Sequence, residues 1–88
     1  MEKVIIDFYS AGCGNCKMLD MYLVQLEKEY TDIKFIRMDI EKEKAKVAEY
    51  GVTSLPTLVF IKDGKVMDKM VGLKPKVLVS KKIGEVFG

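Results

Sequence analysis

Short apolar runs alternate with amphipathic stretches along the chain, and the alternation predicts the elements in order. Val4 to Tyr9 is apolar except at Asp7, the pattern of a strand buried on both faces. Ser10 to Gly14 carries two glycines and cannot continue that strand. From about Asn15 onward, Cys16, Leu19, Leu23, Leu26 and Tyr30 recur at spacings of three and four, one face of a helix of about four turns. Thr31-Asp32 ends the helix, and Ile33 to Ile40, bounded by charges, reads as a second strand. Glu41 to Tyr50 reads as a short helix resting on Ala45 and Ala48, with Gly51 as its C-terminal cap. Thr57 to Ile61 is β-branched and aromatic, and Asp63-Gly64 supplies the two-residue turn of a hairpin into Lys65–Val71. Pro75 suits the first turn of a last helix, whose core face would be Val79, Ile83, Val86 and Phe87, although Gly84 weakens its end.

Strand, helix, strand, helix, strand, strand, helix is therefore the predicted order. Its first half is a βαβ unit, expected to be parallel and right-handed, and its second half adds an antiparallel hairpin and a covering helix. The fold class is α/β: a βαβαββα chain forming a four-stranded mixed sheet with helices on both faces. No repeat, low-complexity tract or linker interrupts it, so residues 1–88 are expected to form a single domain.

Composition sharpens this in two ways. A domain of 88 residues, 49% of them hydrophobic, is able to build a core without a covalent staple, burying a little over ~60% of its unfolded surface. That frees its two cysteines from an obligatory structural role. Fifteen basic residues against 13 acidic ones leave a net charge of only +2, evenly spread, which points to no nucleic-acid and no membrane partner. Glu41-Lys42-Glu43-Lys44 mixes signs and reads as a solvated helix face. Val4-Ile5-Ile6 is the only apolar run before Asp7, too short for a signal peptide or a membrane helix, so a cytoplasmic location is expected.

In a reducing compartment a Cys-x-x-Cys pair is more often redox-active or metal-binding than structural. Cys13 and Cys16 fall where the first strand gives way to the first helix, Cys13 near the N-cap and Cys16 one turn inside. Their spacing puts both sulfurs on the same side of that turn, close enough to bridge. The unpaired N–H groups and partial positive charge of a helix N-terminus stabilise a thiolate. Cys13 should accordingly have a depressed pKa and attack, while Cys16, on the apolar stripe, resolves the mixed disulfide. An exposed Lys17 would add little. As a static disulfide so small a loop would contribute only about 2 kcal/mol. Two cysteines without histidine cannot complete a four-ligand zinc site within one chain, although two chains sharing four thiolates could hold zinc or an iron–sulfur cluster.

Three blocks in order resemble the thioredoxin family. Val4-Ile5-Ile6-Asp7-Phe8-Tyr9-Ser10-Ala11-Gly12-Cys13-Gly14-Asn15-Cys16-Lys17 is similar to its active-site strand, loop and helix start. Tyr50-Gly51-Val52-Thr53-Ser54-Leu55-Pro56-Thr57-Leu58 is similar to its cis-proline segment, and Val71-Gly72 to its groove glycine. The resemblance covers nearly the whole chain and implies a minimal thioredoxin-like fold. It implies a cis Leu55–Pro56 bond packed against the cysteine pair, with the Leu55 backbone pairing with an extended substrate. Gly12, Gly14, Asn15 and Gly72 would complete the substrate-facing surface. Asp7, a carboxylate costly to bury ionised, should have a raised pKa; by the resemblance it would exchange a proton with the resolving Cys16.

The implied activity is reduction of protein disulfides by dithiol exchange, with no cofactor beyond the Cys13–Cys16 pair and no metal, recharged by a separate thioredoxin-type reductase. A glutaredoxin-like, glutathione-linked reductase and a non-enzymatic module sharing a metal or cluster between subunits are the alternatives. A monomer is expected, although apolar surface around Gly12, Leu55 and Leu73 would serve a protein substrate or a dimer contact equally well.

The chain also departs from the family pattern. It lacks the first strand and helix, it has Gly12 where the family usually has Trp, and Asn15 replaces a proline. Losing that proline restores a backbone N–H near the sulfurs, which should make the pair somewhat more oxidising. Arg37 falls where many thioredoxins carry a lysine near the buried aspartate. A permanent charge there would hold Asp7 ionised and weaken it as a proton acceptor.

Overall fold

A computed structural model describes residues 1–88. The elements run β1 (Lys3–Tyr9), α1 (Gly14–Glu29), β2 (Ile33–Asp39), α2 (Lys44–Glu49), β3 (Thr57–Lys62), β4 (Lys65–Val71) and α3 (Lys76–Phe87). One four-stranded sheet has the order β2-β1-β3-β4. β1 pairs parallel with β2 and antiparallel with β3, and β3 pairs antiparallel with β4. The expected mixed sheet and element order are both present.

The central strand β1 explains the layering. Its alternate residues Val4, Ile6 and Phe8 join Val59 and Ile61 on one face, where Val47, Tyr50 and Val52 cover them. Ile5 points the other way and joins Leu58 and Phe60 beneath α1 and α3, which contribute Leu19, Leu23, Leu26, Val79, Ile83 and Phe87. Asp7 has the parity of Ile5, so the strand's one carboxylate lies on the face that α1 covers. Tyr30 Oη and Ser80 Oγ, 2.8 Å apart, tie the end of α1 to α3.

Two local details decide geometry. Asp63 (φ 52°) and Gly64 (φ 81°) both take positive φ, as the tight turn between β3 and β4 demands. Gly51 (φ 62°) closes α2, with its N–H donating to Ala48 O at 3.2 Å and that of Val52 to Val47 O at 3.0 Å, the paired bonds of a left-handed helix end.

The second helix corrects the sequence expectation. Ala45 and Ala48 are exposed; Val47 and Tyr50 face the sheet instead. Asp39 is the cause: its carbonyl accepts from Lys42 and Glu43 N–H and its carboxylate from Glu41 N–H at 3.0 Å. Residues 41–43 are thereby held in a turn, and the helix is only six residues long. Pro75 is likewise the N-cap of α3, one residue ahead of its first turn.

Candidate active site

β1 ends at Tyr9, a bend through Ser10, Ala11 and Gly12 follows, and α1 starts at Gly14. Cys13 is the N-cap, with extended backbone (φ −90°, ψ 107°) and its N–H bonded to Ser10 O at 3.2 Å. Its Sγ accepts the Cys16 N–H at 3.1 Å, so the sulfur takes the place that a serine or aspartate oxygen holds at other helix starts. No acidic residue stands in the first turn to compete for the helix's positive end. Cys13 and Cys16 are joined as a disulfide, their Cα atoms 5.2 Å apart. Cys16 is 3% exposed and Cys13 half-buried, so the two sulfurs differ in access as the apolar stripe implies.

The proline segment meets this pair at the same end of the sheet. Thr57 is the register partner of Phe8 and of Val71, which sets Pro56 and Gly72 beside the end of β1 from which the Cys13 loop departs. Leu55–Pro56 is cis, and Gly72 (φ 86°) donates its N–H to Pro56 O at 2.8 Å. Gly12, Gly14 and Asn15 are exposed, Leu55 half-buried, and the Leu55 N–H and C=O make no backbone hydrogen bond.

Behind the pair opens a cavity of about 330 Å³, lined by Asp7, Tyr9, Ser10, Ala11, Cys16, Lys17, Asp20 and Arg37. Cys16 thus faces Asp7 across a space that water-sized molecules enter. Asp7 is 3% exposed and its Oδ1 has no hydrogen-bond partner. Its pKa is pushed up to about 6, first by burial and then by the charge of Asp20, with Arg37 pulling the other way. The expected raised pKa is present.

The expectation for Arg37 is not met. Arg37 is the register partner of Asp7 in the parallel β1–β2 pair, yet its Nε donates to Asp20 Oδ1 at 2.6 Å and its Nη2 to Glu27 Oε1 at 2.5 Å. With two carboxylates already on the guanidinium, its positive charge is largely answered before it reaches Asp7, and burial wins. Sequence reasoning missed Asp20 and Glu27. Their only signal was a spacing of seven, which places two carboxylates on one face of α1.

The thioredoxin family model matches residues 1–85. A thioredoxin of Chlamydia caviae is 45% identical over 73 residues, which cover 83% of this chain and 72% of that one. A thioredoxin of Chlorobaculum thiosulfatiphilum is 38% identical over 88 residues, 99% of this chain and 82% of that one. Among solved structures, oxidised mitochondrial thioredoxin 3 of Saccharomyces cerevisiae superposes with a TM-score of 0.90 at 34% identity, covering 96% of this chain and 78% of that one.

Proposed function

Because this chain belongs to the thioredoxin family and is a thiol–disulfide oxidoreductase acting on protein disulfides, we propose that Cys13 attacks, Cys16 resolves and Asp7 takes the Cys16 proton. The observation that carries this reading is the unequal placement of the two sulfurs. Cys13 caps α1 within reach of solvent, and Cys16 is buried above the cavity it shares with Asp7. The helix N-terminus favours thiolate at Cys13.

In the reductive direction the Cys13 thiolate attacks one sulfur of a substrate disulfide. That bond breaks, and the other substrate sulfur leaves as a thiolate and takes a proton from solvent. Cys16 gives its proton to Asp7 and attacks the Cys13 sulfur, releasing the second substrate sulfur as a thiolate. Two electrons pass from the pair to the substrate, and the chain is left with the Cys13–Cys16 disulfide. The pair is itself the redox group.

Leu55, whose backbone groups are unpaired, would hydrogen-bond an extended substrate, with Pro56, Gly72, Gly12, Gly14 and Asn15 forming the surrounding surface. Residues 1–88 would act as one domain, since strands from Lys3 to Val71 share one sheet and α3 closes the core begun by α1, and that domain would work as a monomer. A separate thioredoxin-type reductase would return the pair to the dithiol, which suits a reducing compartment such as the cytoplasm. No helix is long and apolar enough to cross a membrane.

Trapping tests the assignment. Cys16→Ser incubated with a disulfide-containing protein should accumulate a covalent adduct through Cys13 that added dithiol releases. Cys13→Ser should form none; an adduct on Cys16 in that variant would reverse the two roles.

A further inference from the structure

Arg37 stands between two sets of acceptors. It is paired in register with Asp7 on the neighbouring strand, and both side chains line the cavity behind Cys16. It makes no salt bridge to Asp7; its fork is spread over Asp20 and Glu27 of α1. These two lie seven residues apart, two turns along one helix face, a span that one guanidinium bridges through Nε and Nη2. Asp7 Oδ1 is left buried and without a partner. A buried ionised carboxylate is costly without a partner, and the arginine in register with it is the cation placed to supply one.

We infer that Asp20 is a positioning residue for the resolving step: by holding Arg37 against α1, it keeps the Asp7 carboxylate unpaired and available to the Cys16 proton. The inference rests on the reading that Asp7 receives that proton. The polar groups that line the cavity with Asp7 are Cys16, Lys17 and Asp20 from α1, Arg37 from β2, Tyr9 from its own strand and Ser10 just beyond it. β3 sets Leu58 opposite it, and α3 brings the apolar Val79, Ile83, Val86 and Phe87 to that core. Lys17 is exposed to solvent and Arg37 is the cation whose charge opposes the proton on Asp7, and Asp20 reaches Arg37 at the cavity wall.

The same arrangement explains why the carboxylate stays basic. Burial raises its proton affinity most, the charge of Asp20 adds to it, and only Arg37 opposes. Removing the Asp20 charge acts twice in one direction: the repulsion goes, and Nε of Arg37 is released toward Asp7. A carboxylate paired with arginine is a weak base, and proton transfer from a thiol to it is steeply uphill.

The test follows the Asp7 carboxyl by carbon NMR across pH in the reduced protein, alongside the rate at which Cys16 resolves a mixed disulfide on Cys13. The side chain of Asp20 is 46% exposed, so Asp20→Asn should fold. It should lower the Asp7 midpoint by about one pH unit and slow resolution about threefold near neutral pH. Arg37→Gln should raise the midpoint, and Glu27→Gln, which frees the other arm of the fork, should lower it less than Asp20→Asn does. An Asp7 midpoint that stays or rises in Asp20→Asn overturns the inference. Asp7→Asn is the separate control: if it resolves at the wild-type rate, the role of Asp7 as acceptor fails whatever Asp20 does to the midpoint.

Discussion

Asp7 and Arg37 face each other across β1 and β2, but the guanidinium turns away and bonds to α1, leaving the carboxylate buried and unpaired. Such a group sets stability against function. Desolvation favours its neutral form, so the folded chain holds the proton up to about pH 6, whereas an unfolded aspartate releases it near 3.8.

The sign of the resulting pH dependence follows directly. With the folded pKa raised, the fold is free of the penalty below about pH 4, loses stability as pH rises from there to about 6, and levels off above. A difference from 3.8 to about 6 corresponds to about 3 kcal/mol. Asp7→Asn should therefore be the more stable protein by up to that amount at pH 7.5 and close to wild type at pH 4. Urea unfolding at the two pH values checks it; equal gains at both would mean that the carboxylate is not strained by ionisation.

Access separates the two thiols. In the reduced protein a limiting amount of iodoacetamide should modify Cys13 first, because Cys16 is 3% exposed beneath the first turn of α1. Peptide mass spectrometry should find Cys16 labelled in quantity only after denaturation. Comparable labelling of both in the native protein would remove the physical basis for distinct attacking and resolving roles.

Much of this was legible in the chain because periodicity reports burial. Cys16, Leu19, Leu23 and Leu26 recur as a helical stripe and are all buried in the structure. Asp7 announced itself as the lone carboxylate in an apolar run. The second helix was misread because Asp39, just before it, captures three following N–H groups, and no hydrophobic pattern records a turn of that kind. Asp20 and Glu27 were invisible for another reason. On the polar side of α1 they resemble any solvated carboxylate until β2 brings Arg37 alongside, 17 and 10 residues away in sequence. Contacts of that range come from how α1 packs against β2, which local pattern does not encode.

Asn15 offers a test of how the helix start sets the redox poise. It is exposed in the first turn, and its N–H makes no backbone hydrogen bond. That donor supports negative charge at Cys13 in the dithiol state. Asn15→Pro deletes it, so the reduced form should lose stabilisation and the pair become more reducing. One charge-assisted hydrogen bond is worth about 1.5 kcal/mol, or about 30 mV for a two-electron couple. A redox titration in dithiol buffers reads this directly. An unchanged or more oxidising midpoint would show that this N–H does not reach the sulfur's field.

Gly72 separates conformational need from substrate contact. Its φ of 86° disfavours any side chain, and its N–H holds Pro56 O at 2.8 Å. A Cβ built there would meet nothing within 4 Å, so Gly72→Ala should cost only the backbone strain, about 1 kcal/mol, and keep the fold. The methyl would instead project into open space beside the proline segment, where the proposed substrate backbone lies. The expected signature is selective: KM for a protein disulfide rises severalfold, while the rate with a small aromatic disulfide, which needs no groove, stays within about twofold of wild type. If both substrates slow equally, the residue serves the loop's conformation alone, and the groove must be drawn from Leu55 and the Gly12 side of the site.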